Sequence, residues 1–149
     1  MSAIQSNNDL INAVKTWCKN RPVAEAQFGH ISEWETGAVT NMSGLFRDKI
    51  DFNEKIGSWD VSHVVDMSDM FNGASSFNQP IGDWDVSNVT SMRAVFVRAS
   101  TFNQSIGGWN VGKVKDLGCA FKLASSFNQK IGSWDVSHVV DMSDMFNGA

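Results

Sequence analysis

The sequence predicts an α/β solenoid: a stack of 25-residue coils, each with one short parallel strand and one short helix, behind an N-terminal helical cap. Three observations carry this expectation. Tryptophan recurs at positions 34, 59, 84, 109 and 134, a constant step of 25, and self-similarity at such a period marks a stacked repeat. Other columns keep the step, with isoleucine at 31, 56, 81, 106 and 131, valine at 39, 64, 89, 114 and 139, and phenylalanine at 46, 71, 96, 121 and 146. Residues 55–74 and 130–149 are identical, which points to duplication of a geometry rather than of individual chemistry.

One unit shows the reasoning. In I-G-D-W-D-V-S-N-V at 81–89, strand alternation would put Trp84 and Val86 on the inner face and Asp85 on the outer one. The spacing I-x-x-W-x-V-x-x-V is leucine-rich-repeat-like, matching L-x-x-L-x-L in spacing though not in residue type. Asn41, Asp66, Ser91, Asp116 and Asp141 then stand where a side-chain oxygen could cap a first helical turn. Met92, Val95, Phe96 and Ala99 follow at i, i+3, i+4 and i+7, one apolar helical stripe, before Phe102 and Asn103 turn the chain. A step of 25 leaves room for the crossover that parallel strands require.

The ends read differently from the middle. Leu10, Ala13, Val14 and Trp17 form a helical stripe, opened by S-N-N-D at 6–9 and stopped by N-R-P at 20–22. Pro22 suits a helix start and Gly29 a helix end, so residues 23–28 are expected as a second short helix. Residues 1–30 therefore read as a helical cap and residues 31–149 as a repeat solenoid of about five coils. The last coil is incomplete, stopping at Ala149 in the column of Ala74, Ala99 and Ala124 without a polar terminal repeat. Arrays normally cap such an end, so the expectation is either a longer parent array or a C-terminal coil that docks on another chain.

Composition excludes several function classes. Twelve Lys and Arg stand against 16 Asp and Glu, a net charge of −4, so nucleic acid is not an expected partner. With 42% apolar residues and 2 prolines the chain can build a core. No apolar run of about 18 residues occurs, so direct membrane insertion is not expected, and M-S-A-I-Q-S-N-N lacks the basic then apolar start of a secretory signal. Cys18 and Cys119 match no C-x-x-C or zinc spacing, and no periodic histidine accompanies Cys119 as a base. Neither G-x-S-x-G, a P-loop nor H-E-x-x-H is present. Five near copies of one surface do not make the unique constellation that catalysis needs, so a non-enzymatic role is expected. An active site would require a pocket outside the repeat columns, between the N-terminal helix and the first coil.

The unit at 59–82 follows W-D-V-S-x-V-x-x-M-x-x-M-F-x-x-A-x-x-F-N-x-x-I-G, and the unit at 84–107 follows it with Val95 in place of the second Met. This pattern resembles the BspA-like leucine-rich-repeat surface proteins, a repeat also described as a domain of unknown function in mycoplasma-type lipoproteins. The resemblance covers residues 31–149. It implies a repeat-built, often cell-surface or secreted, protein without enzymatic activity, and it names no ligand. The start of this chain departs from the lipoprotein form in lacking a signal and a lipid-attachment cysteine. The unit from Trp109 departs as well, with Asn110, Gly112 and Leu117 in place of Asp, Ser and Met.

The candidate binding row is the outward column Glu35, Asp60, Asp85, Asn110 and Asp135. Stacked carboxylates repel, and calcium or basic groups on a partner would relieve that. Alternatively each Asp satisfies the backbone of its own D-V-S turn. No other cofactor is expected. The asparagines at 53, 78, 103 and 128 read as a structural ladder, and the periodic tryptophans as core whose indole N–H groups need acceptors. His63 and His138 share a column interrupted by Asn88 and Lys113, which leaves adjacent metal ligands missing. Arg93, Arg98, Lys113, Lys115 and Lys122 form a local basic patch, suited to a solvated face or an acidic partner. The functional expectation is a protein or glycan interaction module. The alternative is a structural or self-assembling spacer that pairs through its open C-terminal coil.

Overall fold

The computed structural model describes residues 1–149. Helix α1 (Asn7–Lys19) opens on Ser6, whose side chain accepts from the Asp9 N–H, and buries Leu10, Ala13, Val14 and Trp17. Asn20 both ends α1 and starts α2: its N–H donates to the Thr16 carbonyl while its side chain accepts from the Val23 N–H. Helix α2 (Arg21–Phe28) carries its proline in the first turn, where no intrahelical N–H is lost, and stops at Gly29. A 3₁₀ turn (Ile31–Glu33) leads into the repeats.

From residue 34 onward the α/β expectation fails. No sheet forms and no coil contains an α-helix, so the chain is not an α/β solenoid with parallel strands. The strand contribution is reduced to isolated parallel bridges, Asn41 with Asp66, Asp66 with Ser91, Ser91 with Asp116, and Asp116 with Asp141. The stretch read as a strand closes two tight turns instead: the Ile81 carbonyl accepts from the Trp84 N–H at 3.1 Å, and the Val86 carbonyl from the Val89 N–H at 3.0 Å. Trp84 and Val86 are both buried, but turns rather than strand alternation put them there.

The stretch read as a helix is broken by its own backbone. Residues 44, 69, 94, 119 and 144, and again 48, 73, 98, 123 and 148, have φ between 55° and 77°. An L-residue in this region costs about 1–2 kcal/mol and ends any right-handed helix. Only Gly44, Gly73 and Gly148 escape that cost. What offsets it is visible in the bonds: the amide of each such residue in the first four coils donates to the next coil, as Gly44 to Ser68, Asp69 to Arg93, and Arg98 to Lys122, at 2.9 Å each. Met92 and Val95 bracket one turn, Phe96 and Ala99 the next, so the i, i+3, i+4, i+7 stripe still points inward. The expected helix caps are occupied accordingly. Asn41, Asp66, Asp116 and Asp141 each accept from the N–H two residues on at 2.8 Å, closing an Asx turn rather than starting a helix.

We number the coils 31–55, 56–80, 81–105, 106–130 and 131–149. Each stacks on the next with a constant offset, and like side chains meet like. Phe46, Phe71, Phe96, Phe121 and Phe146 stack at 5.5–5.6 Å, and Phe52, Phe77, Phe102 and Phe127 at 5.9–6.1 Å. Such offset aromatic pairs contribute about 0.5–1.5 kcal/mol each beyond burial. The tryptophans are core, and their polar edges find acceptors one coil back: Trp59 donates to the Ile31 carbonyl (2.8 Å), Trp84 to Ile56 (3.1 Å), Trp109 to Ile81 (3.0 Å) and Trp134 to Ile106 (3.1 Å). Gly57, Gly82 and Gly107 sit under the carbonyls of Pro80, Ser105 and Lys130, which a Cβ would strike.

The helices close one end of the stack. Trp17 meets Trp34 edge-on at 5.8 Å, and Asn7 Oδ1 accepts from the Thr40 N–H at 2.9 Å and the Asn41 N–H at 3.2 Å. In later coils the amide in the Thr40 column donates to the preceding coil, as Thr90 does to Val65. Asn7 therefore supplies the carbonyl of a coil that is not there.

Candidate functional site

The acidic row is built by the turn that follows each tryptophan. In the second, third and fourth coils, with Trp fixed inward and Val two residues on also buried, the residue between them is forced outward; Glu35, Asp60, Asp85, Asn110 and Asp135 are all exposed. The carboxylates do not hang free. Asp60 Oδ1 accepts from the Ser62 N–H (2.9 Å) and hydroxyl (2.6 Å), and Asp85 Oδ1 from the Ser87 N–H (3.0 Å) and hydroxyl (2.5 Å). Asn110 accepts from the Gly112 N–H at 3.0 Å and Asp135 from the Ser137 N–H at 3.0 Å. Glu35 stands outside this scheme: Thr36 next to it is buried and donates to the Asp60 carbonyl at 2.8 Å. It borders the same cleft as Asp60, so the first two members meet there.

These bonds set the electrostatics. The serine hydroxyls, and after them the serine amides, hold the carboxyls of Asp60, Asp85 and Asp135 below the usual aspartate range. Asp60 also reaches Asp85 through space and opposes part of its shift, as expected of stacked like charges. His63 and His138 favour the charged forms of Asp60 and Asp135. Asp60, Asp85 and Asp135 are thus ionised and oriented, with Asn110 as a neutral gap before Asp135. No three His, Cys, Asp or Glu side chains converge as ligands for a metal ion such as calcium.

Other candidates are absorbed by the stack. Asn78, Asn103 and Asn128 each donate their backbone N–H to the side-chain oxygen of the asparagine one coil back, at 2.9–3.0 Å. Gln79, Gln104 and Gln129 complete that ladder, reaching both oxygens of the same asparagine. The glutamines recur every 25 residues beside the asparagines, a signal the sequence reading passed over. In the basic patch, Arg93 lies 3.7 Å from Asp116 and 3.3 Å from Asp141, Arg98 3.5 Å from Asp48, and Lys113 donates to Asn88 at 2.8 Å. Arg93 crosses two coils to do this.

A cleft of about 360 Å³ does lie between the helices and the first coil, lined in part by Trp17, Cys18, Arg21, Lys49 and Glu54. Partial burial pushes the Cys18 thiol up, and nearby Lys49 opposes this without reversing it, so the thiol form is favoured. Arg21 is paired with Glu25 and Glu54 and lies over the Trp17 ring. The cleft wall is thereby held together by its own ion pairs. No helix of the chain is long and apolar enough to cross a membrane.

No curated protein and no solved structure matches the chain significantly. A family profile does match, over residues 12–122 and again over 79–149, so the whole coil stack is covered. On that match the chain belongs to the family described as Mycoplasma protein of unknown function, DUF285.

Proposed function

We propose that the chain is a non-enzymatic interaction module that presents its acidic row to a protein or glycan at a cell surface. One observation carries this reading: Asp60, Asp85 and Asp135 are exposed, ionised and pinned by neighbouring amides, on a backbone that repeats in register. A side chain fixed before binding loses little freedom on binding, which is where such a surface gains over a flexible one. The charge favours a ligand with cationic groups. The BspA-like motif at 59–82 and the mycoplasma-type family support display at a surface. That support is by analogy.

The test uses the row itself. Asn110 already keeps the turn bond with a neutral side chain, so Asp60→Asn, Asp85→Asn and Asp135→Asn together remove charge while leaving the fold in place. The wild-type chain and this triple variant are screened against protein and glycan arrays. A ligand bound by the wild type should lose at least about tenfold in affinity, roughly 1.4 kcal/mol, in the triple variant, and should weaken with salt. Ligands bound equally by both would overturn the role given to the row.

A further inference from the structure

The first coil departs from its repeat at one place that stacking does not explain. Where the second, third and fourth coils read A-S-S, A-S-T and A-S-S at 74–76, 99–101 and 124–126, the first has Lys49, Ile50 and Asp51. The turn does not ask for the change. The Lys49 N–H donates to the Phe46 carbonyl at 3.1 Å, just as the Ala74 N–H donates to Phe71 at 3.0 Å and the Ala99 N–H to Phe96 at 3.1 Å. Nor is the change used to pack the helical cap, since Ile50 remains 59% exposed. In later coils the hydroxyls of this stretch bond back to the preceding coil, Thr101 to the Ser75 carbonyl at 2.7 Å and Ser125 to the Ser100 carbonyl at 3.5 Å. The first coil has the helices beside it instead, so that role lapses. Its lapse frees these positions but does not call for a cation, an apolar side chain and an anion in a row.

All three residues line the cleft of about 360 Å³ between the helices and the first coil, together with Trp17 and Cys18 of α1. The charges there sort into paired and unpaired. Arg21 and Glu54 pair at 3.0 Å, and Asp48 pairs with Arg98 at 3.5 Å. Lys49 and Asp51 are the charged lining groups that have no partner in the chain. The Lys49 charge acts on the Cys18 thiol through space, which sets it close to the α1 wall. Burial keeps that thiol in its neutral form, so the wall adds no competing anion. An unpaired cation and an unpaired anion on either side of an exposed isoleucine are complementary to a ligand with the reverse charges on an apolar body. Ligand cavities span roughly 300–1,000 Å³, and this one lies at the small end.

We infer that this cleft binds a small zwitterion with an apolar body, of which an apolar α-amino acid is the simplest, with Lys49 taking the carboxylate, Asp51 the ammonium and Ile50 the aliphatic side chain. Both polar contacts are charge-assisted, and neither requires an existing ion pair of the cleft wall to open. The site lies apart from the acidic row and does not rest on the role given to that row.

The probe is L-leucine, titrated into the ¹⁵N-labelled full chain. The expected result is saturable one-to-one binding with a Kd on the order of 1 mM, read as shifts of the Cys18, Lys49, Ile50 and Asp51 amides. Bound leucine should also slow alkylation of Cys18 by iodoacetamide and leave Cys119, which lies outside the cleft, unaffected. N-acetyl-L-leucine lacks the ammonium and L-leucine methyl ester lacks the carboxylate, and each should bind at least about tenfold more weakly. Lys49→Ala, Ile50→Ser and Asp51→Ser together restore the A-S-S that the second and fourth coils carry on the same turn, so this variant should fold, with unchanged resonances from the later coils, and should lose binding. Absence of a saturable shift at those amides in leucine at about ten times that Kd would overturn the inference. So would equal binding of leucine by the triple variant, or equal binding of either blocked analogue by the wild-type chain.

Discussion

Residues 55–74 and 130–149 have one sequence and two fates. Their local structure is the same: Asp60 and Asp135 take the same serine amide, Asp66 and Asp141 the same Asx turn, and residues 69 and 144 both have positive φ. Their burial is not, because the first copy lies between two coils and the second has a neighbour on one side only. The comparison separates what a coil determines by itself from what the stack gives it. Turn geometry and carboxylate orientation are local; core formation is a property of adjacent pairs, as expected when repeats interact only with their neighbours.

The largest effect that would sharpen this contrast is at the phenylalanines. Phe71→Ala should lower the free energy of unfolding by about 3–5 kcal/mol, the usual cost of deleting a buried aromatic ring. Phe146→Ala, which loses a single stacked neighbour, should cost about 1 kcal/mol. Denaturant titration of both variants reads the difference, and equal losses would break the comparison.

Glycine gives a second pair. Gly57→Ala drives a Cβ into the Pro80 carbonyl and should destabilise by about 1–3 kcal/mol through overpacking. At Gly132 the space is open, and alanine there should change stability by less than about 0.5 kcal/mol. Thermal melts of the two variants side by side decide it.

The capped end offers a third. Asn7→Ala removes the acceptor for the Thr40 and Asn41 amides and makes the first coil resemble the last. A loss of about 1 kcal/mol is expected, with faster amide exchange at Thr40 and Asn41.

The smallest effect should show no contrast at all. Serine bonds lower the folded-state pKa of Asp60 and Asp135 alike, so each contributes stability above the unfolded aspartate value of about 4 that is lost as pH falls through the folded value. Ser62→Ala and Ser137→Ala should each raise their own aspartate toward the ordinary range and flatten the stability profile below about pH 4. Carboxyl NMR titration measures both, and a shift confined to the inner copy would show that the stack, not the turn, sets the charge.

The period and the inward columns were legible in the sequence because burial leaves a periodic trace: Trp84, Val89, Phe96 and Ala99 are core as their columns imply. The two N-terminal helices were legible from Ser6, Pro22 and Gly29, which have specific cap and turn roles. The backbone path was not. An i, i+3, i+4, i+7 stripe is satisfied by a helix and equally by successive four-residue turns that also bond across coils. Ala94, Arg98, Cys119 and Leu123 give no hint of positive φ, since residues of these types seldom adopt it. The strand reading failed for a related reason: W-x-V places two residues inward whether the chain is extended or turning. Of the acidic row, exposure was readable, while the departure of Glu35 depended on Thr36 turning inward to the Asp60 carbonyl.

Amide hydrogen exchange on the intact chain tests most directly whether coils are stabilised by their neighbours. Met67, Asp69, Phe71 and Gly73 should exchange slowly, and Met142, Asp144, Phe146 and Gly148, in the same sequence, should exchange close to the rate of free amides. Equal protection of the two sets in the monomeric chain would contradict the stack described here.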